Sequence, residues 1–146
     1  KALENGCKEV LWLDAHEHKY VEEVGTSNAF FMINGEVITA PLGGSILPGV
    51  TRDSTITLLR KWGYKVSERR LSIQDIEEAS KNGSLQEAWA TGTACVISPI
   101  GYLRYMDRDI VIHGGGVGPV SQKLYDHIYG MQTGVVADDM GWIVQL

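Results

Sequence analysis

The dipeptide Asn34-Gly35 constrains the fold of this chain more than any other short stretch. It stands between the apolar run 29–33 and the run 36–39, and both runs have the composition of β-strands. Asn-Gly is the strongest short signal for a two-residue hairpin turn, because both residues tolerate the positive φ angles that this turn requires. The sequence therefore predicts an antiparallel pair of strands over 29–39.

Three helices are predicted around this hairpin. The first begins at Thr51 and runs to Trp62 without Gly or Pro. The second follows Ser72, which opens a sequence resembling a capping box, and the third begins at Gly118-Pro119. Hairpins mixed with separate helices predict an α/β (α+β) domain built around a curved, mostly antiparallel sheet, rather than a regular parallel one.

Four further segments carry structural expectations. The compact apolar run 9–13 predicts a buried strand, and the polar run 64–71 predicts an edge strand. The apolar tail 141–144 is expected to dock on the domain. Residues 1–6 have the pattern of the last turn of a helix closed by Asn5-Gly6, and there is no initiator Met, so we expect the natural protein to continue upstream.

Composition limits the classes of function. A chain of 146 residues with 44% apolar and 21% charged residues is typical of one globular domain. The net charge of −5 argues against a nucleic-acid partner, and no apolar run approaches the length of a membrane span. Two cysteines, Cys7 and Cys95, are too few for a disulfide scaffold and favour a reduced, cytoplasmic setting.

Two loops have the composition of an anion site. In the stretch 45–52, Pro48-Gly49 forms a turn that opens a helix, and the unpaired N–H groups of such a turn attract anions, most often phosphate. By itself this stretch favours a plain strand–turn–helix joint. The loop 91–94 consists of small and hydroxylated residues whose backbone can approach a ligand closely. Together the two loops predict a cradle for phosphate or carboxylate.

Other candidate residues give weaker signals. One of Glu22 and Glu23 should point inward from a strand and bond to a protonated group, although two solvated glutamates are the simpler interpretation. His16 and His18 lack a third ligand, so a solvated turn is favoured over a metal site. Cys95 is interpreted as an inert thiol, since Ser98 stands where a CxxC pair would need cysteine.

Taken together, five segments resemble the fold-type IV pyridoxal-phosphate aminotransferases, and branched-chain amino-acid aminotransferases in particular. The segments are Val10–Asp14, Glu23–Asn28, Gly44–Arg52, Thr91–Cys95 and, less strongly, Gly118-Pro119 with Lys123-Leu124. The resemblance covers essentially the whole chain. It implies the large domain of the D-amino-acid aminotransferase-like fold, with a pseudo-barrel sheet and flanking helices, so that 1–146 is the C-terminal cofactor-binding domain.

The resemblance also implies a cofactor, pyridoxal 5′-phosphate, and residues that bind it. Glu23 would accept the proton of the pyridine nitrogen, and Leu47 would pack on the ring. The backbone of Val50 and Thr51, with the hydroxyl of Thr93, would hold the phosphate. The implied reaction moves an amino group between Leu, Ile or Val and 2-oxoglutarate, in a homodimer.

The substrate carboxylate would be received by Thr26 and the backbone of Ala94. The Schiff-base lysine of the family lies upstream of Lys1, so no catalytic residue is assigned here and we expect 1–146 alone not to turn over. D-amino-acid aminotransferase and aminodeoxychorismate lyase share the implied fold and remain alternatives. A non-catalytic binding module remains another.

Overall fold

The computed structural model describes residues 3–144, which form nine β-strands and three α-helices. The strands are β1 Leu11–Leu13, β2 Val21–Val24, β3 Ser27–Ile33, β4 Glu36–Thr39, β5 Lys65–Glu68, β6 Leu85–Gly92, β7 Val96–Pro99, β8 Tyr102–Tyr105 and β9 Arg108–Val111. The helices are α1 Val50–Lys61, α2 Ile73–Lys81 and α3 Pro119–Gln132. Short 3-10 helices occupy Leu3–Asn5 and His113–Gly115.

The predicted hairpin is confirmed. Strands β3 and β4 pair antiparallel, with Phe31 opposite Ile38. Asn34 and Gly35 have φ angles of 50° and 74°, the positive values that a two-residue turn of this kind requires. The turn therefore fixes the register of the two central strands.

Seven strands form one mostly antiparallel sheet in the order β1-β2-β3-β4-β5, with β6 and β7 on the far side of β3. Strand β5 lies at the edge, as predicted, and pairs parallel to β4 after the α1 crossover. Strands β8 and β9 form a separate hairpin. Within residues 3–144 the seven-stranded sheet stays open and does not close into a barrel.

The strand pairing of β3 leaves a place at its edge for the 40–49 loop. Strand β6 pairs along residues 28–33 on one edge of β3. On the other edge β2 pairs at residues 27–28 and β4 at residues 30–33. Strands β2 and β4 therefore follow one another along the same edge, and the 40–49 loop enters where they diverge.

Alternating side chains build one apolar core on each face of the sheet. Phe30 and Trp89 lie on the face covered by α1 and α3, and their rings stack at 5.6 Å. Phe31 and Ile38 lie on the opposite face, which α2 and the β8–β9 hairpin cover. Helix α3 packs on the first of these faces through four buried apolar residues, Val120, Leu124, Ile128 and Met131.

Two predictions of burial at the ends of the domain are wrong. A strand does form within the run 9–13, but β1 covers only Leu11–Leu13, and Trp12 is 53% exposed because β1 lies at the sheet edge. In the tail, Trp142 is 38% and Val144 81% exposed, because backbone bonds to the Asp138 carboxylate hold a local turn rather than a docked segment.

The start of the chain is described only in part. Lys1 and Ala2 lie outside the described residues, while Gly6 has the positive φ of 73° that suits a helix end. None of the helices in residues 3–144 combines the length and apolar character that crossing a bilayer requires.

Candidate functional site

Glu23, Asn28 and Leu47 form a closed polar network where β2, β3 and the 40–49 loop meet. Glu23 and Asn28 are cross-strand neighbours, and Asn28 Nδ2 donates to Glu23 Oε1 at 3.1 Å. The same nitrogen donates to the carbonyl of Leu47 at 2.9 Å, and the Leu47 N–H donates to Glu23 Oε1 at 3.0 Å. Glu22 instead accepts the hydroxyl of the exposed Ser45, so Glu23 is the carboxylate that contacts the buried Asn28.

Helix α1 begins beside this network with its first N–H groups open. Its N-cap is Gly49, which has no side chain to cap the helix, and the first backbone bond is Asp53 N–H to Gly49 O at 3.0 Å. Among residues 3–144 nothing accepts a hydrogen bond from the N–H of Val50 or Thr51. Those groups and the helix dipole attract an anion at this point.

The turn between β6 and β7 lies beside the turn between β2 and β3. A Cβ on Gly92 would be 2.8 Å from Ser27 Oγ, and the Cys95 sulfur lies 3.9 Å from that hydroxyl. Thr93 and Ala94, at the tip of the β6–β7 turn, are exposed. The turn that carries Ala94 therefore lies beside the turn that carries Thr26.

A cavity of about 570 Å³ opens on the side of the sheet away from α1. Thr26, Ser27 and Cys95 line it together with residues of the β7–β8 connection. Of the site residues predicted from sequence, only Thr26 lines this cavity. The Glu23 network and the start of α1 lie outside it.

Arg52 fixes the first turn of α1 to the edge of the sheet. It is 4% exposed, and its Nη2 donates to the carbonyl of Ala40 and to Glu68 Oε2, both at 2.9 Å. The Arg52 hydrogen bond holds the pKa of Glu68 below its ordinary value. Ala40 begins the 40–49 loop, and Arg52 lies just after its end. The hydrogen bond between them therefore holds together the two ends of the segment that carries Leu47 and Gly49.

Some of the predicted site residues are linked by hydrogen bonds, and others only lie near one another. Glu23 and Leu47 share a hydrogen bond, and Val50 and Thr51 follow on the same segment. No hydrogen bond within residues 3–144 links Thr93 to the start of α1. Sequence reasoning gave Asn28 no role, although a buried amide at the start of an apolar strand is itself a signal.

The histidine pair gives no sign of a metal site. His16 and His18 are exposed on a turn organised by Asp14, whose carboxylate accepts the N–H groups of Tyr20, Glu17 and Lys19. These bonds, with Tyr20 the strongest, hold the pKa of Asp14 well below its usual range. Within residues 3–144 no cluster of three His, Cys, Asp or Glu side chains suits a metal ion.

Comparison with known proteins identifies the family. Residues 1–102 match the sequence model described as amino-transferase class IV. The chain belongs to this family. The resemblance drawn from the sequence motifs is therefore confirmed, and so is the predicted mixed α/β fold with its mostly antiparallel sheet.

Individual aminotransferases match nearly all of the chain. It is 52% identical over 145 residues to branched-chain-amino-acid aminotransferase 2 of Bacillus subtilis (strain 168), covering 99% of this chain and 40% of that protein. A crystal structure of the Escherichia coli branched-chain amino acid aminotransferase matches with a TM-score of 0.81 at 30% identity, over 98% of this chain and 43% of that one.

A third match carries a ligand in its description. A crystal structure of the T.th. branched-chain amino acid aminotransferase with pyridoxamine 5′-phosphate has a TM-score of 0.78 at 29% identity, over 97% of this chain and 43% of that one. Our class IV aminotransferase chain thus spans about 40% of the length of the curated relative and slightly more of the solved structures.

Proposed function

We propose that the protein carrying this chain is a pyridoxal-phosphate-dependent branched-chain amino-acid aminotransferase. It would move an amino group between Leu, Ile or Val and 2-oxoglutarate, with 1–146 as its C-terminal cofactor-binding domain. One observation carries this proposal: a free carboxylate oxygen on Glu23 and the open start of α1 lie on either side of Asn28. The names of the relatives support the choice of substrate.

The residues present fit the two charged ends of the cofactor. Its phosphate is an anion, which the open N–H groups of α1 attract, and its protonated ring nitrogen is a donor, which the Glu23 carboxylate accepts. Gly49 supports the fit, because a Cβ there would collide with Asn28 Oδ1 and displace the start of the helix. When bound, pyridoxal phosphate supplies an electron-withdrawing ring that stabilises negative charge at the carbon of the substrate amino acid.

Each cofactor-binding residue has a distinct task in this proposal. Glu23 Oε2 holds the proton of the ring nitrogen and so keeps the ring positively charged. The Leu47 side chain, 64% exposed, is free to pack on one face of the ring. The N–H groups of Val50 and Thr51 bind the phosphate, and the exposed hydroxyl of Thr93 donates to the same group.

The substrate carboxylate is assigned to the paired turns. Thr26 offers a hydroxyl at the mouth of the cavity, and Ala94 offers a backbone N–H on the neighbouring turn. Two donors about a carboxylate would fix its orientation and so help to position the substrate. None of these residues is the proton-transferring lysine that the family resemblance implies.

The assembly and location of the protein are also part of the proposal. We infer a cytoplasmic homodimer, as the resemblance implies.

The test uses the full-length protein, supplied with pyridoxal phosphate, 2-oxoglutarate and a panel of amino acids. We expect glutamate to form from Leu, Ile and Val and not from D-alanine. Glu23→Gln, which keeps the size of the side chain but accepts the ring proton poorly, should lower kcat about 100-fold or more. Glutamate formed only from D-alanine would favour the D-amino-acid alternative, and no glutamate from any amino acid would overturn the proposal.

A further inference from the structure

The side-chain amide of Asn28 joins the two halves of the proposed cofactor site. Its Nδ2 uses both of its donors, one on Glu23 Oε1 at 3.1 Å and one on the Leu47 carbonyl at 2.9 Å. The Leu47 N–H donates to the same Glu23 oxygen at 3.0 Å. The carboxylate, the amide and the loop therefore form a closed ring of hydrogen bonds.

This ring leaves one oxygen of Glu23 for a ligand. Oε1 holds both Asn28 and Leu47, whereas Oε2 accepts no hydrogen bond from residues 3–144. Because Oε1 is held at two points, the carboxylate plane has little freedom and Oε2 keeps one direction. An acceptor that is already oriented loses less conformational freedom when a donor binds.

The same amide contacts the phosphate half of the site. A Cβ added to Gly49 would collide with Asn28 Oδ1, so the N-cap of α1 lies directly against the amide. Asn28 is 4% exposed, and water therefore competes little for its hydrogen bonds. One side chain thus holds the direction of the Glu23 carboxylate and lies against the open helix start.

We infer that Asn28 is a positioning residue that orients Glu23, the partner of the ring nitrogen, from its place beside the phosphate-binding start of α1. The inference rests on the proposed function, because it needs a ligand with an N–H donor at one end and an anion at the other. Asn28 acts through Glu23 and the Leu47–Gly49 turn and does not itself touch the cofactor.

Binding of two cofactors to the full-length protein separates this role from a purely structural one. The first is pyridoxal 5′-phosphate, and the second is its deaza analogue, in which CH replaces the ring nitrogen and Glu23 has no N–H to accept. Asn28→Leu keeps the approximate size of the side chain and removes both donors. We expect it to weaken pyridoxal phosphate binding about 10-fold or more and analogue binding about 3-fold or less, since a bond to a charged group is lost only with the former.

Two further variants make the comparison sharper. Ser45→Ala is the matched control, because Ser45 Oγ donates to Glu22 Oε1 at 2.7 Å from the same loop without touching Glu23. It should change either affinity by less than about 2-fold, as expected for one exposed hydrogen bond. Asn28→Ala provides a second test if Asn28→Leu does not fold. It removes both donors without adding a charge beside the start of α1, and it should give the same unequal losses.

Each outcome decides between explanations. Unequal losses in the Asn28 variants, with Ser45→Ala near the wild type, support the inference. Equal losses for the two cofactors overturn it and leave Asn28 a structural residue. A wild-type protein that binds the analogue as tightly as pyridoxal phosphate overturns the role of Glu23, and that of Asn28 with it. A wild-type protein that binds neither overturns the proposed function itself.

Discussion

The N-termini of α1 and α3 have similar caps, but only that of α3 has a carboxylate to accept its first N–H groups. Each helix follows a glycine N-cap, Gly49 or Gly118, which has no side chain to cap it. At α3 the gap is filled by Glu87 of β6, whose carboxylate accepts the N–H groups of Val120 and Ser121 at 3.0 Å each. At α1 no group within residues 3–144 takes that place.

At α3 the negative charge is part of the folded domain, whereas at α1 a bound ligand can supply it. Both helix starts present unpaired N–H groups at the positive end of a helix dipole, so both favour negative charge. Glu87 is 4% exposed and supplies that charge permanently inside the domain. Helix α2 shows a third arrangement, in which Ser72 and Asp75 cap the helix from within its own first turn. Among the three helices of residues 3–144, α1 alone leaves the anion position open.

Removing the internal anion at α3 should have the largest effect. Glu87→Ala leaves buried N–H groups without an acceptor and should lower the free energy of unfolding by about 3 kcal/mol or more. Glu87→Gln keeps one acceptor oxygen and should cost about half as much. Urea unfolding followed by circular dichroism measures both. A loss below about 0.5 kcal/mol for Glu87→Ala would show that the carboxylate does not stabilise α3.

Adding a methyl group to each N-cap compares the two helix starts directly. A Cβ on Gly118 would collide with Glu87, and one on Gly49 would collide with Asn28. Gly118→Ala should lower the free energy of unfolding by about 2 kcal/mol, as expected for overpacking of a buried site. Gly49→Ala should cost about 1 kcal/mol. It should also weaken pyridoxal phosphate binding about 10-fold, since it displaces the open N–H groups.

Unfolding curves and cofactor titrations on both glycine variants separate these effects. If Gly118→Ala weakened cofactor binding as much as Gly49→Ala does, the two helix starts would not have separate functions. If Gly49→Ala left binding unchanged, the anion site would have to be sought away from α1.

Local sequence chemistry predicted much of the fold, and long-range pairing explains the errors. The Asn34-Gly35 turn and the Ser72 capping box depend on neighbours within a few residues, and both were predicted correctly. Trp12 was expected to be buried because its run is apolar. Its exposure follows from the edge position of β1, and edge position is set by the pairing of the whole sheet.

The predictions for the site show the same contrast between local and long-range contacts. Strand alternation indicated an inward glutamate, and the Pro48-Gly49 turn indicated an anion site, both from neighbouring residues. Asn28 and Glu87 were missed because the helix-side segments that they hold, at Leu47 and Val120, lie 19 and 33 residues away along the chain. Each is a polar residue buried within a strand of the central sheet, and such a residue needs a hydrogen-bonding partner. That requirement is the signal that could have identified them.

The cap of α2 should make a smaller, pH-dependent contribution. Bonds from Ser72 hold the pKa of Asp75 below its ordinary value of 3.8. A carboxyl group with a lowered pKa stabilises the fold above its unfolded-state pKa, and this contribution is lost as pH falls through the folded-state pKa. Asp75→Asn should cost about 1 kcal/mol at pH 7. The difference from the wild type should shrink below pH 3.8, and a constant difference between pH 7 and pH 3 in urea unfolding would contradict this account.

Filling the open start of α1 should have the smallest effect on stability and the opposite sign. Val50 is 84% exposed in the first turn, so Val50→Glu adds a carboxylate where the dipole favours it and should raise the free energy of unfolding by about 0.5 kcal/mol. The same charge repels a phosphate and should weaken pyridoxal phosphate binding about 5-fold at low salt, less at high salt. Val50→Gln is the control of equal size without charge. A stabilised variant that binds the cofactor as tightly as the control would mean that the phosphate does not lie at this helix start, whereas opposite changes in stability and affinity are what an open anion position requires.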